Sequence, residues 1–389
     1  MATSIFHKNF PQVSEYLEQF NQAKYVIGLD LHKKTTALTV IDKNHPEKPV
    51  FQRKRLDNRE VLPTIQRFDG KKIAISESSY GWVRLQEALA GIPDVTFLIF
   101  DPRKTMSWAQ SSGIKSDKLD AEVLAYACLN GGISGLSVFQ NGKESRENFK
   151  LSNYRDSLVR QSTRVKNQLK AFERDFGPNP YTGEVLGKSE IATLMENGYL
   201  DQLNVLKQKI DTVDEHMKNF NKKDEISRLL KTIPGIGNIT AFAMRAKIED
   251  ISRFENAKHL MSFFGLGIRQ SQSGDHCSKG KITKTGNRMV RKLLVQGAQI
   301  IRSSHPEYLP LYFPHLGQPE AMANKQHANK VTIALARKNL DFVYHVWKTK
   351  EKFSIDIYRE KKEKALNLFQ SKNNVPSSKT VDPDLMLIR

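Results

Sequence analysis

The order of apolar stretches between Tyr25 and Phe100 limits the fold more than any other feature of the sequence. Tyr25–Asp30 reads as a buried strand and Thr35–Ile41 as a second, with Lys33 and Lys34 at the turn between them; Val50–Leu56 gives a third. The pattern then alternates: a short helix over Asn58–Phe68, a strand at Lys72–Ser76, a helix over Trp82–Ala90 and a strand at Val95–Phe100. Three meandering strands followed by right-handed crossovers predict an α/β sheet in which the fourth strand can lie beside the first.

Beyond about Glu147 the period changes. Leu151, Tyr154, Leu158, Val165, Leu169, Phe172 and Phe176 fall on three- and four-residue steps, and after Gly177-Pro-Asn-Pro180 the series Leu203, Leu206, Ile210, Val213, Met217, Phe220 repeats them. Two antiparallel helices joined by a loop are the simplest account, with the apolar stripe as their seam. The other side of the first helix is basic: between 150 and 174 there are seven Lys/Arg against Asp156 and Glu173, which suits a surface that follows a nucleic-acid backbone, though such a face is often only solvated. The stretch from Ile226 to about Lys350 reads as mostly helical. It opens on Ile233-Pro-Gly-Ile-Gly237, a turn of the helix-hairpin-helix kind, in which glycine serves either a phosphate held at a helix start or a tight helix–helix turn. Ser354–Arg389 is charged and carries a Ser/Pro/Asn-rich segment, the composition of a partly disordered tail.

Charge names the partner class. The chain has 61 Lys+Arg against 42 Asp+Glu, a net charge of +19, with 39% hydrophobic residues, so it is a folded basic protein whose expected partner is polyanionic. Cys128 and Cys277 are far apart and lack a second Cys at metal spacing, which excludes a disulfide framework or zinc knuckle and fits a reducing cytoplasm. The N-terminus has no signal-peptide pattern and no apolar run is long enough to span a bilayer, so no membrane role is expected.

Chemistry is concentrated in four acids. Asp30 ends an apolar strand, where an ionised carboxylate needs a compensating cation or proton. Glu77 follows the fourth strand and meets Asp30 at one sheet edge if those strands pair, as oxygen ligands for magnesium must. Asp117 and Asp120, in Lys115-Ser-Asp-Lys-Leu-Asp120, are three residues apart at a helix start and therefore on one face. Taken singly, Asp117 could be an N-cap, Asp120 a partner of the helix dipole and Asp30 an ordinary strand-end acid. Together they occupy the places where this topology would assemble a metal site.

These residues carry a resemblance. Gly28-Leu-Asp-Leu-His-Lys33, Ser76-Glu77 before Tyr80-Gly-Trp82, and Lys115-Ser-Asp-Lys-Leu-Asp-Ala121 resemble the DEDD transposases of the insertion-sequence one-ten family, relatives of the Piv DNA invertase. Ile233-Pro-Gly-Ile-Gly237, Asp250-Ile-Ser-Arg-Phe254, Phe264-Gly-Leu-Gly267, Ser273-Gly274, Gly280–Asn287 and Ala336-Arg-Lys338 look like that family's C-terminal transposase domain. The match runs in order from about Tyr25 to about Tyr358.

The resemblance implies an α/β plus all-α architecture: a lead-in over 1–22, a ribonuclease-H-like (RuvC-like) domain over 23–146, antiparallel coiled helices over 147–225, a mostly helical transposase domain over 226–353 and a tail over 354–389. Asp30, Glu77, Asp117 and Asp120 match the acidic tetrad that binds Mg2+. The family's nucleophilic serine directly precedes a glycine, which points to Ser273; because this chain reads Ser271-Gln-Ser-Gly, Ser271 is the runner-up. Acids and serine would make one composite site, which the resemblance places between protomers. It also implies a bridge RNA pairing with donor and target DNA, a dimer, and a tetramer at the synapse, acting in the bacterial cytoplasm at the nucleoid.

From Arg269 to Arg302 eight Lys/Arg stand against Asp275 alone, so Lys279, Lys281, Lys284, Arg288, Arg291 and Lys292 join Lys115, Arg160, Arg164 and Lys170 as expected nucleic-acid contacts. Two alternatives share this pattern: a Piv-like invertase with the same active site, and a junction nuclease that hydrolyses DNA with water.

Overall fold

A computed structural model describes residues 11–78, 81–111, 120–178, 181–183, 189–273, 276–304 and 325–354. The chain divides into two compact units, residues 1–141 with 252–255, and 142–251 with 256–389.

The first unit is mixed α/β. Helix α1 (Pro11–Gln22) precedes strands β1 (Tyr25–Leu31), β2 (Thr35–Asp42) and β3 (Phe51–Asp57). Helix α2 (Val61–Gln66), strand β4 (Lys72–Glu77), helix α3 (Trp82–Leu89) and strand β5 (Val95–Phe100) then alternate, and helices α4 (Pro102–Ser111), α5 (Asp120–Ala127) and α6 (Ile133–Leu136) complete the unit. The sheet order is β3-β2-β1-β4-β5; β1 is antiparallel to β2 and parallel to β4. The strand meander and the pairing of the fourth strand with the first are as expected, and the topology is consistent with a ribonuclease-H-like domain.

Both sheet faces are covered, because alternate residues of each strand must find cover on opposite sides. Val26, Ile73, Ile75, Leu98 and Phe100 pack with Leu124, Ala125 and Cys128 of the α5 region, while Ile27, Leu29, Leu38, Ala74 and Leu56 pack with Val61, Ile65 and Leu89 of α2 and α3. The expected polar lead-in contains a helix: Val13 is buried, and Tyr16 and Phe20 pack on the α5-side core.

The second unit is dominated by α7 (Lys143–Phe176) and α8 (Glu190–Lys223), which run antiparallel. Leu158 meets Val213 and Met217 in their seam, and Arg155 pairs with Asp214 across it. Ser189 caps α8 by accepting from the Ala192 N–H at 3.2 Å, satisfying one orphan donor at the helix start. After α9 (Glu225–Leu230), α10 (Asn238–Ile248) and α11 (Ala257–Phe263) comes a feature absent from the sequence reading: strands β6 (Ile268–Ser273) and β7 (His276–Ile282) pair as an antiparallel hairpin. Its strands are rich in Gln, Ser, Lys and Gly and carry no apolar run, so a hydrophobicity pattern could not find it. Helices α12 (Arg288–Ser304) and α13 (Lys325–Thr349) pack together. No helix among the described residues is long and apolar enough to cross a membrane.

Candidate active site

Pairing of β1 with β4 runs in register from Tyr25 opposite Lys72 to Leu29 opposite Ser76. Asp30 and Glu77 are the next residue on each strand. Alternation puts Asp30 on the face of Val26 and Gly28, and Glu77 on the face of Ile73 and Ile75, so both carboxylates lie on the α5 side of adjacent strands, whose backbones are about 4.8 Å apart. Gly28 explains how α5 comes so close: a Cβ there would overlap the carbonyl oxygen of Ala121. The helix that begins at Asp120 therefore has its first turn against β1, two residues from Asp30.

The β1–β2 turn is held in place beside the acids. Asn58 accepts from the Thr36 hydroxyl at 2.8 Å, donates from Nδ2 to the carbonyl oxygens of His32 and Lys33 at 3.3 and 3.4 Å, and its own N–H reaches the Lys34 carbonyl. His32 Nε2 lies 3.0 Å from Asp30 Oδ2, with the carboxylate 24% exposed. Neither His32 nor Asn58 was singled out chemically from the sequence. Once β1 and β2 are recognised as a hairpin, a His two residues beyond the acid on the same strand face is the signal that could have found the first.

Two of the four expected metal ligands thus come together, and carboxylate oxygens are the donors a hard divalent cation requires. Asp117 lies outside the described residues; Asp120 opens α5, and its side chain also lies outside them. Among the described residues no group of three His, Cys, Asp or Glu forms a metal-binding cluster.

Ser273 ends β6 directly opposite His276, and Ser271 pairs with Ser278, so both candidate serines are on the hairpin that the sequence reading missed. Their side chains, with those of Lys279 and Lys115, lie outside the described residues. Lys281 near the end of β7, and Lys284 and Arg288 beyond it, are exposed. Arg291 has a structural engagement: its Nη1 donates to the Phe264 and Gly286 carbonyls at 3.0 and 3.1 Å. Burial, reinforced by Arg288, lowers its pKa. Lys292 and Arg160 share Asp156, at 2.9 and 3.0 Å, whereas Arg164 and Lys170 are exposed along α7.

At Ile233–Gly237 the two glycines differ. Gly235 has φ +79° and abuts Gly297 of α12, with no room for a Cβ on either, which is a close helix–helix approach. Gly237, at the N-cap of α10, faces open space. A groove of about 590 Å³ opens there, but in its lining Asp211, Asp214 and Glu215 of α8 outnumber Lys218, which pairs with Glu215, so its charge does not favour phosphate.

Family comparisons agree in position with these elements. A model described as Transposase, of the DEDD IS110 type, matches residues 27–176, and one described as Transposase IS116/IS110/IS902 family matches residues 227–313. The chain is similar to the transposase for insertion sequence element IS1111A of Coxiella burnetii, 24% identical over 82% of this chain and 88% of the relative. It is likewise similar to the transposase for insertion sequence element IS1328 of Yersinia enterocolitica, 29% identical over 58% of this chain and 69% of the relative. The pilin gene-inverting protein of Moraxella bovis is 33% identical over 33% of this chain and 39% of its own length.

Proposed function

The chain belongs to the IS110 family of DEDD transposases, and from that premise we propose that it cuts and rejoins DNA through a magnesium-assisted serine nucleophile. The observation that carries this reading is the placement of Asp30 and Glu77 at matching ends of adjacent parallel strands, on the face where α5 begins. Residues 23–146 are read as the RuvC-like domain after a lead-in over 1–22, 147–225 as coiled helices, 226–353 as the transposase domain and 354–389 as a tail.

Asp30, Glu77, Asp117 and Asp120 would hold Mg2+, which when bound offsets charge growing on the phosphoryl oxygens. Ser273 Oγ would form a bond to phosphorus as a phosphorus–oxygen bond to a sugar breaks; the serine proton passes to an acceptor at the site, and the departing sugar oxygen takes up a proton to leave as a hydroxyl. Lys279, Lys281, Lys284 and Arg288 suit the phosphates on either side. Arg164 and Lys170 would follow the backbone of a bridge RNA. An exposed apolar row on α8, Ile191, Leu194 and Val205, suits pairing of two chains through the coiled helices, with two such dimers at the synapse.

The test is covalent trapping on end-labelled donor DNA with Mg2+, followed by denaturation. A denaturant-resistant adduct is expected, and its loss in Ser273→Ala. An adduct that survives in Ser273→Ala and disappears in Ser271→Ala moves the nucleophile to the runner-up. Cut DNA with no adduct from the unaltered protein assigns the attack to water, as in a junction nuclease. The Moraxella bovis relative favours a second reading, inversion between fixed inverted sites with the same chemistry; a plasmid carrying such sites would return inverted product instead of transfer.

A further inference from the structure

The edge strand of the first unit carries a charge pattern that its packing does not use. β3 lies at one margin of the sheet, and Gln52, Arg53, Lys54 and Arg55 are all exposed. Lys33 and Lys34 are exposed at the β1–β2 turn. None of these five cations makes an ion pair among the described residues. Nearby acids are otherwise engaged: Asp57 accepts from the Arg59 N–H, and Glu122 accepts from Gln52.

The register ties this basic edge to the carboxylates. Thr36 pairs with Leu56 and Leu38 with Arg53, so Lys54 and Arg55 together face Ala37 in a β-bulge. Ala37 pairs on its other side with Asp30. The bulged cations are therefore level with Asp30, two strands away, or about 10 Å at the usual strand spacing. A bulge re-aims side chains and sharpens local twist, and here it does so beside the candidate acids.

We propose that Arg53, Lys54 and Arg55, continued by Lys33 and Lys34, form a track for the phosphate backbone of the DNA strand presented to Asp30 and Glu77. The inference takes the identity of the polymer from the DNA-cutting reading of the same unit; the location of the track comes from the bulge and the unpaired charge. The competing explanation is protection of an edge strand, for which charge of either sign suffices.

Full-length protein carrying Arg53→Gln, Lys54→Gln and Arg55→Gln, and a second protein with Glu at the same three positions, would be titrated with a short DNA duplex over a range of salt. Thermal melting close to that of the unaltered protein is expected for both, because the altered side chains are exposed. The Gln protein should lose about 2 to 3 from the slope of log affinity against log salt, near 0.9 for each lost phosphate contact. The Glu protein should stay monodisperse and bind more weakly still. An unchanged slope, or unaltered binding by the Glu protein, reduces the charges to edge protection and overturns the proposal. So does a loss confined to an RNA probe of the same sequence. If the triple variants fail to fold, Lys33→Gln with Lys34→Gln carries the same test, with a slope loss of up to about 2 expected and an unchanged slope as refutation. Cleavage by Asp30→Asn is read separately: its persistence would remove the acid from catalysis while leaving this surface to stand or fall on binding.

Discussion

Gly28 has no side chain because the Ala121 carbonyl occupies the space one would need. Gly28→Ala should therefore cost about 1–3 kcal/mol, by overpacking against a backbone that cannot turn aside, and push α5 away from β1. Denaturant unfolding measures the cost, and cleavage should fall with it; unchanged stability would mean that α5 does not pack against β1 at Gly28. Asn58→Ala removes the clamp on the β1–β2 turn and should cost about 1–3 kcal/mol, while leaving DNA binding largely intact. At Arg291 the two carbonyl bonds predict a loss of stability in Arg291→Met without a change in the salt slope of DNA binding, which separates a structural cation from a phosphate contact. Buried Cys128 adds a pH signature. Burial pushes its thiol pKa up, so the unfolded chain loses its proton first as pH rises above about 8.5, and stability should decline there; Cys128→Ala should flatten that decline. Of the candidate site, the meeting of Asp30 and Glu77 was legible because strand order alone brings the ends of β1 and β4 together. The His32–Asp30 contact and the Asn58 clamp were not, because both depend on the geometry of a hairpin turn and not on any run of residue types.

At the level of elements, the sequence declares what hydrophobic burial decides. β1, β4 and β5 have near-continuous apolar runs, since both faces are covered, and they fall within a residue or so of their expected bounds. The β6–β7 hairpin is built from polar residues and was invisible to the same reasoning; the two residues Gly274-Asp275 between the paired Ser273 and His276 were its one local signal. Helix α1 was missed because, among its described side chains, Val13, Tyr16 and Phe20 are the apolar ones that turn inward, too few to set a helical period in a polar stretch. On α8, Ile191 and Leu194 are 70% and 73% exposed at helical spacing. If that row pairs two chains, Ile191→Glu with Leu194→Glu should convert a dimer to a monomer in light scattering, without loss of helix content. A dimer that persists would place the interface elsewhere.

Over the whole molecule, a net charge of +19 is divided between cations with structural partners and cations without. Arg155, Arg245 and Arg291 hold carboxylates or carbonyls inside the fold, whereas the β3 edge, the α7 row and the Lys281–Arg288 segment face solvent. Affinity for nucleic acid should fall steeply with salt through the second group and hardly at all through the first. The proposed activity requires two carboxylates at one sheet edge to act on a phosphodiester. Its most direct test is cleavage of donor DNA in Mg2+ by Asp30→Asn and Glu77→Gln, each at a protein concentration shown to saturate the DNA. A fall of about 10²-fold or more in each, with binding retained, is the predicted result. Cleavage at the unaltered rate by either variant would contradict it.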